Sequence, residues 1–102
     1  MSSLFKNLFG KPADFKSIYE KGAIILDMRT PEEFSGGHID GAVNIPVDQL
    51  QSHIARLKNM NRPVITCCRS GARSGMARIT LASAGLEVYN GGPWNELERK
   101  IQ

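Results

Sequence analysis

The apolar residues of the chain fall in short blocks between polar breaks rich in glycine and proline, and the spacing within each block predicts an element. Ala23-Ile24-Ile25-Leu26 is a continuous apolar run ending in Asp27, too short for a helix and suited to a strand buried on both faces. Ala42-Val43-Asn44-Ile45, stopped by Pro46, and Val64-Ile65-Thr66-Cys67 predict two more strands. Leu86-Glu87-Val88-Tyr89 predicts a last one, with Gly91-Gly92-Pro93 as a turn behind it. Helical patterns lie between these runs. Phe15, Ile18 and Tyr19 share one face of a segment from Ala13 to Lys21, stopped by Gly22. Thr30-Pro31-Glu32-Glu33 is a helix start, with Thr as cap, Pro at the first position and Glu at the third, and Gly36-Gly37-His38 breaks that helix. Leu50, Ile54 and Leu57 stand at i, i+4 and i+7 of a helix from Asp48 to Lys58. Arg73 to Ala84, rich in small residues with Met76, Ile79 and Leu81, is closed by Gly85, and Trp94 to Ile101 forms a terminal helix. Strands alternating with helices at this spacing predict an α/β fold: a parallel sheet with right-handed crossovers and helices on both faces. Ahead of it, Leu4, Phe5, Leu8 and Phe9 repeat at helical spacing, so residues 1–12 are expected to form an arm or short helix.

Composition narrows the class. At 102 residues with 41% hydrophobic content the chain suffices for one core without a structural metal. The two cysteines are adjacent. Their Cα atoms, about 3.8 Å apart across a trans peptide, are closer than the roughly 4.4–6.8 Å of an ordinary disulfide, so no structural bridge is expected. With no Cys-x-x-Cys pair, no metal or other cofactor is expected either. The net charge of +3 is spread over 13 scattered Lys and Arg residues, which argues against nucleic acid as a partner. No apolar run reaches the ~20 residues of a membrane span, so no membrane partner is expected. A cytoplasmic monomer is expected, or a periplasmic one if a signal peptide once preceded residue 1.

The candidate chemistry sits where the third strand ends. Cys67-Cys68-Arg69-Ser70-Gly71-Ala72-Arg73-Ser74 runs from strand to helix, so loop amides and the positive end of the helix dipole can converge on one anionic sulfur. In a parallel sheet this carboxyl end of the strands is where ligands bind. Cys68 is the candidate nucleophile. A cysteine in a core has no need of Arg, Ser, Gly, Arg and Ser directly after it. Cys67, by strand alternation, points away from the loop and is expected to be inert packing. A free thiol has a pKa near 8.5, and lowering it by about two units takes roughly 2.7 kcal/mol, whereas a helix terminus supplies ~0.3–1. The remainder is expected from inward-turned amides, which Gly71 permits by adopting positive φ, and from Arg69 and Arg73.

With these residues in place, the chain resembles the rhodanese superfamily in its small single-domain sulfurtransferase form. The resemblance rests on three ordered motifs: Leu26-Asp27-Met28-Arg29-Thr30-Pro31-Glu32-Glu33-Phe34, then Gly37-His38-Ile39-Asp40-Gly41-Ala42-Val43-Asn44-Ile45-Pro46, then Cys68-Arg69-Ser70-Gly71-Ala72-Arg73-Ser74. It implies a rhodanese-like domain over residues 13–102, with a central parallel sheet of four or five strands. It also implies a thiosulfate sulfurtransferase in which Cys68 carries sulfane sulfur as a persulfide to cyanide or a thiol. The amides of Arg69, Ser70, Gly71, Ala72, Arg73 and Ser74 would then cradle the sulfur, and the Arg69 and Arg73 side chains would meet a small anionic donor. A protein donor or acceptor is the other partner the resemblance allows. A rhodanese module serving as persulfide relay or partner-binding domain is the alternative. Related phosphatases carry five residues between Cys and Arg, whereas here four separate Cys68 from Arg73, which favours sulfur over phosphorus and ranks a phosphatase or arsenate reductase third. Asp27 and Arg29 are expected to pin the loop after their strand, and His38 to hold the turn from Gly37 to Gly41 by hydrogen bonding rather than to act as a base. Trp94 is expected in the core or pocket wall. It follows the Gly91-Gly92 pair by two residues, where many relatives place it four residues on.

Overall fold

The structure, a computed structural model, describes residues 13–102, and the arm expected over residues 1–12 lies outside them. Four strands form one sheet: β1 (Ile24–Asp27), β2 (Val43–Asn44), β3 (Val64–Cys68) and β4 (Val88–Pro93), in the order β2-β1-β3-β4 with every pair parallel. The helices are α1 (Phe15–Glu20), α2 (Pro31–Ser35), α3 (Ile54–Met60), α4 (Ala72–Ser83) and α5 (Trp94–Ile101), with a 3-10 helix over Val47–His53 leading into α3. The central strands β1 and β3 are buried at every position, as their unbroken apolar runs predict.

Alternation along these strands sorts the core into two layers. Leu26, Val64, Cys68, Ala77 and Leu81 pack on one face, against α3 and α4. Ile25, Ile65, Cys67 and Leu97 pack on the other, with Phe15, Trp94 and Ile101 from α1 and α5 alongside. Leu26, Ile65, Leu81 and Leu97 keep no more than a trace of exposed surface, and each contributes about 1.5–3 kcal/mol relative to exposure. On α4 it is Ala77 and Leu81 that turn inward, while Met76 and Ile79 are more than half exposed.

Two elements differ from the sequence expectation. The helix expected over Asp48 to Lys58 opens as a 3-10 turn and becomes α-helical only at Ile54. Pro46 offers its start no side-chain cap, and the Ser52 hydroxyl donates to the Gln49 carbonyl at 3.0 Å, competing with the regular ladder. The last strand begins at Val88 rather than Leu86 and runs straight through Gly91-Gly92-Pro93, the expected turn. Thr66 pairs with Asn90 and Cys68 with Pro93, so β4 takes one residue more than β3 between the same two points, a bulge beside the end of β3. Gly91 is there for space: a Cβ on it would stand 2.8 Å from both the Thr66 carbonyl oxygen and Leu97.

The capping box is present as predicted. The Thr30 hydroxyl accepts from the Glu33 amide at 3.2 Å, and the Glu33 carboxylate accepts from the Thr30 amide at 2.9 Å.

Candidate active site around Cys68

Cys68 is the last residue of β3, and the chain after it folds back over its sulfur. The Gly71 amide donates to Cys68 Sγ at 3.0 Å and the Ser74 amide at 3.4 Å, and the Ser74 hydroxyl oxygen lies 3.3 Å from it. Gly71 has φ +99°, the left-handed conformation that aims these amides inward, and it stands directly before α4. Gly92, from the bulge in β4, approaches so closely that a Cβ on Gly71 would meet its Cα at 3.5 Å. Sheet, loop and helix thus converge on one sulfur.

Burial pushes the Cys68 thiol up, but its hydrogen bonds with Ser74 and with the amides of Gly71 and Ser70 together outweigh it and leave the thiol below its ordinary value. Cys67, on the opposite face, meets burial without such donors. Its thiol is driven well above the ordinary range, with Asp27 adding to the effect.

The arginines are placed differently from the sequence expectation. Arg73 holds Glu33 in a two-pronged ion pair, Nη1 to Oε1 at 2.7 Å and Nη2 to Oε2 at 3.0 Å. The guanidinium is therefore engaged by a carboxylate, and hydrogen bonds, more than arginine charge, account for the lowered thiol. Arg69 and Ser70 are exposed at the tip of the loop, and Arg69 forms no ion pair among the described residues. Ala72 is exposed as the first residue of α4.

The four supporting residues lie elsewhere. Asp27, without exposed surface, receives the Arg29 amide at 3.0 Å and the guanidinium at 2.8–3.1 Å. Arg29 in turn donates to the carbonyls of Glu33 at 3.1 Å and Gly37 at 2.7 Å, tying the middle of α2 and the turn after it to the end of β1. His38 stacks on Phe34 with ring centroids 3.7 Å apart and meets the Phe34 carbonyl oxygen at 2.7 Å through Nδ1. Trp94 packs with the Cys67 layer under the Arg29 guanidinium, 4.8 Å from the ring centroid. Of the expected group, then, Gly71 and Ser74 contact the sulfur, while Asp27, Arg29, His38 and Trp94 build the frame on the other side.

Two residues outside the predicted set belong to the site. Glu33 neutralises Arg73, and its own carboxyl is held down at about 2 by the Arg73 guanidinium and the Thr30 amide. The capping motif gave away its position but not its partner. Asn90 accepts the Ser74 hydroxyl at 2.7 Å and the Gly92 amide at 3.0 Å, and donates to the Gly71 carbonyl at 3.3 Å. A polar residue just before Gly-Gly in an otherwise apolar strand was its only signal. Among the described residues no group of three His, Cys, Asp or Glu side chains is arranged to hold a metal ion.

A cysteine at the end of a central parallel strand, cradled by the amides of a short loop at a helix start, defines an α/β domain built around one buried thiol. The family model described as Rhodanese-like domain matches residues 11–93, and the chain belongs to that family. It is 42% identical over 78 residues to the uncharacterized protein YqhL of Bacillus subtilis, covering 76% of this chain and 60% of that one. It is 35% identical over 69 residues to thiosulfate sulfurtransferase PspE of Escherichia coli, covering 66% of each. The chain thus spans less than two thirds of the length of these curated relatives. Among solved structures, an E. coli rhodanese with anions aligns with a TM-score of 0.67 at 31% identity, over 74% of this chain and 91% of that one. A human single-domain sulfurtransferase aligns with a TM-score of 0.68 at 27% identity, over 84% and 90%.

Proposed function

We propose that this chain is a sulfurtransferase that loads sulfane sulfur from a small anionic donor such as thiosulfate onto Cys68 and delivers it to a thiophilic acceptor, cyanide or a thiol. The observation that carries the reading is the convergence of the Gly71 and Ser74 amides on Cys68 Sγ within a loop too short for a phosphoryl cradle. Relatives named as thiosulfate sulfurtransferases support it.

The steps balance without an external oxidant. The Cys68 thiolate attacks the outer sulfur of thiosulfate, the S–S bond of the donor breaks, and sulfite departs with the bonding electron pair. The persulfide left on Cys68 places its charge on the outer sulfur. Cyanide attacks that sulfur, thiocyanate leaves, and the Cys68 thiolate returns. The amide cradle stabilises negative charge at the start and end of the cycle, and no proton has to move, so His38 has no base to be. Arg73 would meet the donor's sulfonate edge only by sharing or surrendering its hold on Glu33.

The deciding experiment incubates the protein with thiosulfate and reads the Cys68 peptide by mass spectrometry, alongside thiocyanate formation. A gain of one sulfur atom on Cys68, discharged by cyanide, is expected. Thiocyanate turnover without that gain, or turnover of aryl phosphates with none of thiosulfate, would overturn the proposal.

A further inference from the structure

The Ser74 hydroxyl lies between two acceptors. Its oxygen is 2.7 Å from Asn90 Oδ1 and 3.3 Å from Cys68 Sγ, and it has one proton to give. The orientation of the Asn90 amide is not free. Its Oδ1 accepts the Gly92 N–H at 3.0 Å and its Nδ2 donates to the Gly71 carbonyl at 3.3 Å; turning the amide over would set donor against donor and acceptor against acceptor. The atom facing Ser74 is therefore an oxygen that can only accept. Ser74 itself has no exposed surface, so solvent cannot supply a second donor.

Two proton placements follow. With the hydroxyl proton on Asn90, a Cys68 thiol completes the chain by donating S–H to the Ser74 oxygen, and every atom is satisfied. With Cys68 as thiolate, the hydroxyl can help the sulfur only by swinging its proton away from Asn90. That would leave two oxygens 2.7 Å apart with no proton between them. A persulfide, whose charge sits on the outer sulfur, makes no claim on that proton.

We propose that Asn90 is a positioning residue for Cys68: it holds the single proton of the Ser74 hydroxyl away from the sulfur, leaving the thiolate to be stabilised by the loop amides alone. The effect on chemistry is a restrained thiolate. Each donor taken from a thiolate leaves it more basic and a better nucleophile once formed. Asn90 also gives the hydroxyl proton a settled place whenever Cys68 carries sulfur.

A merely structural role for Asn90 makes the opposite prediction. Asn90 ties β4 to the loop through Gly71 and Gly92, so losing it for that reason would loosen the amide cradle and raise the thiol. Losing it as a proton holder frees the hydroxyl and lowers the thiol. The other charged or titratable groups around Cys68 are Cys67 on β3, Asp27 and Arg29 at the end of β1, Arg69 in the loop, and Arg73 of α4 with Glu33 of α2. The one titratable side chain of β4, Tyr89, donates to Glu87 at 2.6 Å. None of them is altered by replacing Asn90.

The test is the pH dependence of Cys68 alkylation by iodoacetamide, read by peptide mass, in Asn90→Ala and in Asn90→Leu, which keeps the bulk but not the acceptor. Both variants are expected to lower the apparent pKa by about one unit. Well below that pKa the gain in thiolate is partly offset by weaker intrinsic nucleophilicity, so alkylation should speed up about threefold. In a Ser74→Ala background the same substitutions should lower nothing. An unchanged or raised apparent pKa, or an equal drop without Ser74, overturns the proposal. It rests on Cys68 as the reactive sulfur, yet reads ionisation rather than transfer. Absence of sulfur transfer beside the expected titration would therefore sink the sulfurtransferase reading and leave this one standing.

Discussion

Cys67 and Cys68 are joined by one peptide bond, neither has exposed surface, and their thiols are driven in opposite directions. Cys67 enters the layer of Ile25, Ile65 and Leu97, where nothing offers a hydrogen. Cys68 enters the layer capped by α4, where the loop and the start of the helix bring two amides to its sulfur. Burial by itself therefore makes a thiol inert; what activates one is burial together with donors that no solvent competes for. Strand alternation alone decides which of two adjacent cysteines receives them.

The sharpest way to break this comparison is to remove each sulfur in turn. Cys68→Ser should reduce transfer from thiosulfate to cyanide by about a thousandfold or more, because an alcohol forms no persulfide. Cys67→Ala should leave turnover within about twofold while costing roughly 1 kcal/mol of stability for the small cavity, read as a lowered urea midpoint. Equal loss of turnover in two folded variants would dissolve the distinction.

Labelling should rank next. In the wild-type protein at neutral pH, iodoacetamide should modify Cys68 more than tenfold faster than Cys67, since about one unit of pKa separation already yields tenfold in thiolate. Peptide mass spectrometry over a time course checks it.

A smaller effect is expected at the ion pair that closes the Cys68 side. Arg73→Ala should raise the KM for thiosulfate about fivefold, the ~1 kcal/mol of an ordinary hydrogen bond because Glu33 keeps its share of the guanidinium, and alter a neutral persulfide donor less. An equal loss for both donors would remove Arg73 from donor binding.

The least of these effects is a pH dependence. The Glu33 carboxyl is held at about 2, below its unfolded value near 4.3, so the pair adds stability that is present above pH ~4.3 and fades as pH falls toward 2. Wild type should exceed Glu33→Gln in melting temperature at neutral pH, and the gap should close on acidification through that window.

Much of this was legible in the sequence. The unbroken runs at residues 24–26 and 64–67 announced central strands because a strand covered on both faces needs no polar side. The order Cys68-Arg69-Ser70-Gly71 announced a loop because a Gly with positive φ is what such a turn requires. What stayed hidden depended on distance through space. Glu33 and Arg73 are 40 residues apart, and a capping motif explains Glu33 fully without its partner. Gly91-Gly92 read as a turn, although only Gly92 has positive φ, at +76°; Gly91 is a glycine because β3 and α5 leave it no room. Asn90 was hidden with them, since its role exists only once that strand is laid beside β3.

The complete burial of Cys68 also bears on how fast it can react. No donor atom can touch a sulfur without exposed surface, so attack requires the atoms over it to give way, and apparent affinity is weakened by the fraction of molecules in which they have. Access and ionisation then multiply. A reagent's size, independent of its charge, becomes a selector, and a small donor gains over a bulky one before any specific contact has been made.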